Sequence, residues 1–143
     1  MALGNIELKR LNYLAVVVAA VVAMAIGYFW YSPGMFGGEW MALAGFTEPP
    51  EASMAQAYAL GFVNALVKAL ILALLIDWVK GESWRCGVLV GLTCWIGFAA
   101  TVRADNSIFG GRPLGLFWID GGYDLVSYLA MGAIIGSWLK KRA

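Results

Sequence analysis

The sequence predicts an all-α integral membrane protein: a four-helix bundle with both termini in the cytoplasm and a short interfacial helix in its first outer loop. Three observations carry that expectation. Of the 143 residues, 62% are hydrophobic and only 13% charged, against about half and about a quarter in soluble domains. Four apolar stretches of membrane-spanning length, at about 12–31, 54–78, 84–102 and 114–138, account for nearly the whole chain, so a single transmembrane domain over 1–143 is expected. Lysine and arginine are also unevenly distributed. Lys9, Arg10, Lys80, Arg85, Lys140, Lys141 and Arg142 fall on one side of the spans, and only Arg103 and Arg112 on the other. Basic residues stay in the cytoplasm, so seven against two predicts a multi-pass protein of the plasma (inner) membrane, N-in and C-in.

Composition also narrows chemistry and partners. The net charge of +1 gives no reason to expect nucleic acid, and the lipid bilayer is the first partner. The chain has no histidine, which removes histidine-based triads, metal sites and haem ligation. No metal and no cofactor is expected. Cys86 and Cys94 lie on one helix, about 12 Å apart along its axis, beyond the roughly 7 Å between Cα atoms that a disulfide tolerates.

The first span carries Ala15, Ala19, Ala23 and Gly27 at every fourth residue, a stripe that admits close approach of another helix. Lys9 and Arg10 ahead of it resemble the start of a signal peptide, but the apolar run continues to Trp30, which suits an uncleaved span. Ser32-Pro33-Gly34 ends it, because Pro33 disfavours helix at Ser32. Phe36, Trp40 and Leu43 recur at helical spacing and predict the interfacial helix. Phe46 to Ala52 is a polar turn. In the second span Asn64 and Lys68 share a stripe with Ala57, Gly61 and Leu72, and Lys68 sits about ten residues from either end. That is too deep to snorkel, so it faces the interior. The third span carries Gly87, Gly91, Cys94, Phe98 and Thr101 on one stripe, and residues 103–113 form the second outer loop.

The fourth span holds the unusual chemistry. Asp120 and Asp124, four residues apart, share one face with Ser127. A carboxylate at mid-helix costs about 2.5–3.5 kcal/mol on insertion scales, so it needs a partner or a wet cavity. Asp124 lies about 15 Å deep, a depth similar to that of Lys68. An Asp124–Lys68 pair at mid-membrane is therefore expected, with Asp120 shallower and closer to Arg103 or the outer loop. The polar intramembrane centre is then Lys68, Asp124, Asp120 and Asn64. The outer cap above it comprises Trp30, Tyr31, Ser32, Pro33 and Trp40 from the first loop, with Asn106 and Arg112 from the second.

Several outer-side motifs carry a resemblance: Asn12-Tyr13-Leu-Ala; Gly27-x-x-Trp30-Tyr31-Ser32-Pro33-x-x-Phe36-Gly37-x-x-Trp40-Met41; Met54-Ala-x-Ala-Tyr58; and Phe109-x-Gly111-Arg112-Pro113-Leu114 followed by Gly122-Tyr123. Together they resemble the domain of unknown function 1761 family of small membrane proteins. The resemblance spans nearly the whole chain and implies four spans and no established activity. At Asp120 and Asp124, where the family pattern suggests Asn and His, this sequence departs from it.

Three functions fit. One is a non-enzymatic site for a small solute or ion, built as a homo-oligomer because four short spans rarely enclose a pathway alone. Another is an accessory or assembly subunit packed against a larger membrane complex through the small-residue stripes. The third is an enzyme: Gly122-Tyr123-Asp124 resembles intramembrane aspartyl proteases, whose two acids share a proton. Those acids come from two helices, whereas here both sit on one, so no catalytic residue is assigned.

Overall fold

A computed structural model describes residues 11–45 and 53–138, and among these the structure is helical. The charges Lys9, Arg10, Glu48, Glu51, Lys140, Lys141 and Arg142, and the turn at 46–52, lie outside the described residues. Helix α1 runs Tyr13–Trp30, α2 Gly37–Ala44 and α3 Met54–Trp78. Helix α4, Trp84–Cys94, continues through a π-helical segment, Trp95–Ala99, into α5, Ala100–Ile108. Helix α6 runs Leu114–Ser137.

The helix ends follow from side chains able to satisfy orphan backbone groups. Asn12 Oδ1 accepts from the Ala15 amide at 3.2 Å. Ser53 and Gln56 form a reciprocal capping box at the start of α3, and Ser83 caps α4 through the Cys86 amide. Gly45, in the left-handed region at φ 71°, closes α2. Asn12 also joins opposite ends of the chain, its Nδ2 donating to the Trp138 carbonyl at 2.7 Å. The start of α1 and the end of α6 therefore lie together.

Three helices are long and apolar enough to cross a membrane: Tyr13–Trp30, Met54–Trp78 and the continuous Trp84–Ile108. Helix α6 is as long, but Asp120 and Asp124 interrupt its apolar sequence, and it contacts α1, α3 and α4. Its buried face includes Asp120, Asp124 and Ser127 together with Met131 and Ile135.

Small residues bring the helices together. Ala19, Ala20 and Ala23 of α1 and Ala65, Ala69 and Ala73 of α3 belong to one core cluster with Leu72, Ile76, Met131 and Ile135. Between α4 and α6 the backbones themselves touch. A Cβ on Gly87 would collide with the Gly132 carbonyl, and one on Gly132 with the Gly87 carbonyl. The stripes expected to supply an interface to other chains are thus largely occupied within this one. Gly87→Ala should lower stability by about 1–3 kcal/mol, because the obstructing atoms are backbone and cannot turn away. Gly97→Ala, where a Cβ meets nothing within 4 Å, should leave thermal unfolding in detergent unchanged. Equal losses at the two positions would contradict this packing.

Two sequence expectations need correction. The third span does not end near residue 102 but continues as helix to Ile108, so the expected loop shrinks to residues 109–113. Its stripe is also broken: Gly87 and Gly91 are buried, but Phe98 is 73% exposed and Thr101 is exposed. The cause is the π segment, in which the Ala100 amide reaches back to the Trp95 carbonyl. One extra residue in that turn rephases everything after it. Arg103, rather than Phe98 or Thr101, then turns toward α6.

Helix α2 forms as expected, and its apolar residues fold back on the protein. Phe36 stacks on Trp30 with ring centres 4.9 Å apart, Trp40 meets the Tyr31 ring edge-on at 5.8 Å, and Leu43 reaches Gly115 of α6. Gly37 permits the tight entry, since a Cβ there would strike the Tyr31 carbonyl.

Candidate functional site: a charged centre between the helices

Asp120 and Asp124 face inward from α6 with only 9% and 4% of their surface exposed. The side chain that answers them is Arg103. Its Nε donates to Asp124 Oδ2 at 2.8 Å, and its Nη1 lies 3.7 Å from Asp120 Oδ2. The expected leading pair, Asp124 with Lys68, is present only as a longer contact of 4.0 Å between Nζ and Oδ1. That distance lies beyond hydrogen-bond reach. Arg103 takes precedence because its planar fork can address two carboxylates together, and because the π segment places it between them. The expected proximity of Asp120 to Arg103 is observed. Asp120 also accepts a hydrogen bond of 2.5 Å from the Tyr31 hydroxyl.

The outer cap holds α6 in register. Trp30 Nε1 donates to the Ile119 carbonyl at 3.0 Å, and Trp95 Nε1 donates to the Gly121 carbonyl at 2.9 Å. Two indoles thus grip the backbone on either side of Asp120. The Tyr123 hydroxyl donates to the Ala23 carbonyl at 3.0 Å, and its ring meets that of Tyr31 edge-on at 5.5 Å. Ser32 Oγ donates to the Phe29 carbonyl, while Pro33 borders the vestibule described below. Asn106 and Arg112 line a small recess with Arg103 and Asp120. Trp30, Tyr31, Asn106 and Arg112 thus lie around Asp120, and Trp40 packs against Tyr31.

Below the cap lies a cavity of about 220 Å³ whose walls include Asn64, Lys68, Arg103, Asp124, Ser127 and Tyr128. Asn64 is on its rim, one turn before Lys68, and is exposed. The Lys68 ammonium stands 6.0 Å from the centre of the Tyr128 ring, at the outer limit of a cation–π contact. Ser127 Oγ is enclosed near the Tyr123 hydroxyl, yet no hydrogen bond of ordinary geometry reaches it. Met24, Tyr31, Gly61 and Tyr123 border this cavity and also a larger vestibule of about 580 Å³ between α1 and α3. Tyr28, Met54 and Tyr58 also line the vestibule, so its walls are mainly apolar and aromatic.

Arg103 and Trp95 are the residues that sequence reasoning did not assign to the centre. A π turn leaves no mark in hydropathy. The one available signal was that two buried acids exceed what Lys68 alone can neutralise.

The fold and site define a helical protein with three helices of membrane-crossing length and a charged interior. The chain matches, over residues 14–136, the family described as protein of unknown function (DUF1761), and it belongs to that family. No curated protein and no solved structure matches it.

Proposed function

We propose that the protein is a four-span membrane protein of the plasma (inner) membrane, with both termini cytoplasmic, that binds a small solute at its charged centre without chemically altering it. The observation that carries this reading is the cavity bordered by Lys68, Arg103, Asp124 and Ser127 at the heart of long apolar helices. Ionisable groups at such depth face a pathway or a binding site, and the adjoining vestibule offers the way in. The seven-to-two distribution of basic residues supports the orientation, and α6 supplies the fourth span. Arg103, lying against both Asp120 and Asp124, supports binding over catalysis, because it opposes the sharing of a proton on which paired-acid chemistry depends. A homo-oligomer completes the walls that so few helices leave open.

The accessory-subunit reading draws on one observation: Leu89, Ile96, Phe98 and Val102 are broadly exposed apolar residues along α4, the π segment and α5. Native mass spectrometry from mild detergent separates the two. A symmetric assembly of this chain supports the first reading, and constant co-purification of a larger partner supports the second.

Solvent access tests the site. With Cys86 and Cys94 replaced by alanine, Asn64→Cys should react with a small charged methanethiosulfonate added from outside. Val67→Cys, on the lipid-facing side of the same helix and 54% exposed, should not. An Asn64→Cys variant as inert as Val67→Cys would overturn the solute-site reading.

A further inference from the structure

We infer that the central cavity takes a small zwitterion, an ammonium and a carboxylate on one carbon with an apolar substituent, the chemistry of a neutral α-amino acid. The inference rests on the solute-site reading above. It begins with hydrogen-bonding capacity that the protein leaves open. Asp124 Oδ2 is occupied by Arg103, whereas Oδ1 faces the Lys68 ammonium at 4.0 Å, too far for a hydrogen bond. An ammonium carries three donors and a carboxylate oxygen accepts readily. The cavity therefore presents an open cation and an open anionic oxygen side by side. A ligand whose own opposite charges are separated by one carbon can engage both, its carboxylate on Lys68 and its ammonium on Asp124. Asn64, which borders the same space and is exposed, can donate to the ligand carboxylate.

Charge balance selects the same class. Lys68 and Arg103 offset Asp120 and Asp124, so the centre is already neutral. A ligand with net charge would add an uncompensated charge in a poorly polarisable interior, which desolvation opposes. A zwitterion leaves the sum at zero. Size and surroundings complete the argument. At about 220 Å³ the cavity is smaller than the 300–1,000 Å³ typical of sites for drug-sized ligands. Gly61 and Met24 border both this cavity and the vestibule, and an apolar side chain would lie against them.

The full-length protein, purified in mild detergent, would be titrated calorimetrically with L-leucine, with leucinamide, which lacks the carboxylate, and with isocaproate, which lacks the ammonium. Leucine should bind at least about tenfold tighter than either analogue, since each lacks one charge-assisted contact. In Lys68→Gln the preference over leucinamide should fall to about threefold or less, because the carboxylate loses its partner while the ammonium keeps Asp124. Lys68 makes only a long contact with Asp124, so this variant should remain folded, with an unchanged elution profile. Binding of isocaproate or leucinamide as tightly as leucine would overturn the assignment. So would failure of L-leucine, L-alanine and L-phenylalanine alike to bind. Labelled Asn64→Cys combined with that failure would leave the solute site standing and remove only the zwitterion, whereas unlabelled Asn64→Cys would remove both.

Discussion

Arg103→Leu should destabilise the protein by about 3–5 kcal/mol, the cost of leaving a buried ion pair without one partner. The effect is large because Arg103 approaches both carboxylates, and Asp124 has only 4% of its surface exposed. Lys68, 4.0 Å from Asp124, can offset at most one of the two carboxylates that Arg103 serves. Thermal unfolding in detergent, followed by tryptophan fluorescence, measures the loss. Adding Asp120→Asn and Asp124→Asn to Arg103→Leu should recover much of it, because the stranded charges are then gone. A triple variant as unstable as the single one would mean that the guanidinium acts through packing of its stem.

Inserting one alanine between Ala99 and Ala100 should come close to the same loss. The π segment Trp95–Ala99 already holds one residue more than an α turn does, and a further one would rotate everything beyond it by about 100°, carrying Arg103 away from α6. Deleting Gly97 instead removes the extra residue and restores α periodicity with Arg103 still turned to α6; Gly97 is exposed and a Cβ there meets nothing, so that variant should stay close to the parent. On the insertion background, Arg103→Leu should add little, because both changes break one interaction and their effects are not additive. Full additivity would show that the π segment does not position Arg103.

These two expectations mark where sequence reasoning stopped. The apolar stretches and the inward face of Asp120, Asp124 and Ser127 follow from periodicities of local chemistry. The short helix at Gly37–Ala44 was likewise legible from the spacing of Phe36, Trp40 and Leu43. The common level of Lys68 and Asp124 along the helices was legible too, since the two line one cavity. Lateral position was not. An α-helical count from Gly87 through Gly91 and Cys94 leads to Phe98 and Thr101, and only a π turn redirects it to Arg103. Hydropathy compounded the error, because arginine ends an apolar stretch on any scale although the helix runs on to Ile108. Trp95, and the partner of Trp30, were hidden for another reason: both indoles donate to carbonyls, those of Gly121 and Ile119, which carry no sequence signature. Small-residue stripes show that helices approach closely, but not whether the neighbour belongs to the same chain.

The central claim is that Arg103, held inward by the π segment, is the principal partner of Asp124 and leaves Lys68 open to the cavity. Double-mutant cycles on thermal stability test it most directly, pairing Arg103→Leu with Asp124→Asn and Lys68→Gln with Asp124→Asn. The account predicts a coupling of about 1.5 kcal/mol or more for the first pair and under about 0.5 kcal/mol for the second. The reverse order would contradict it and restore Lys68 as the partner of Asp124.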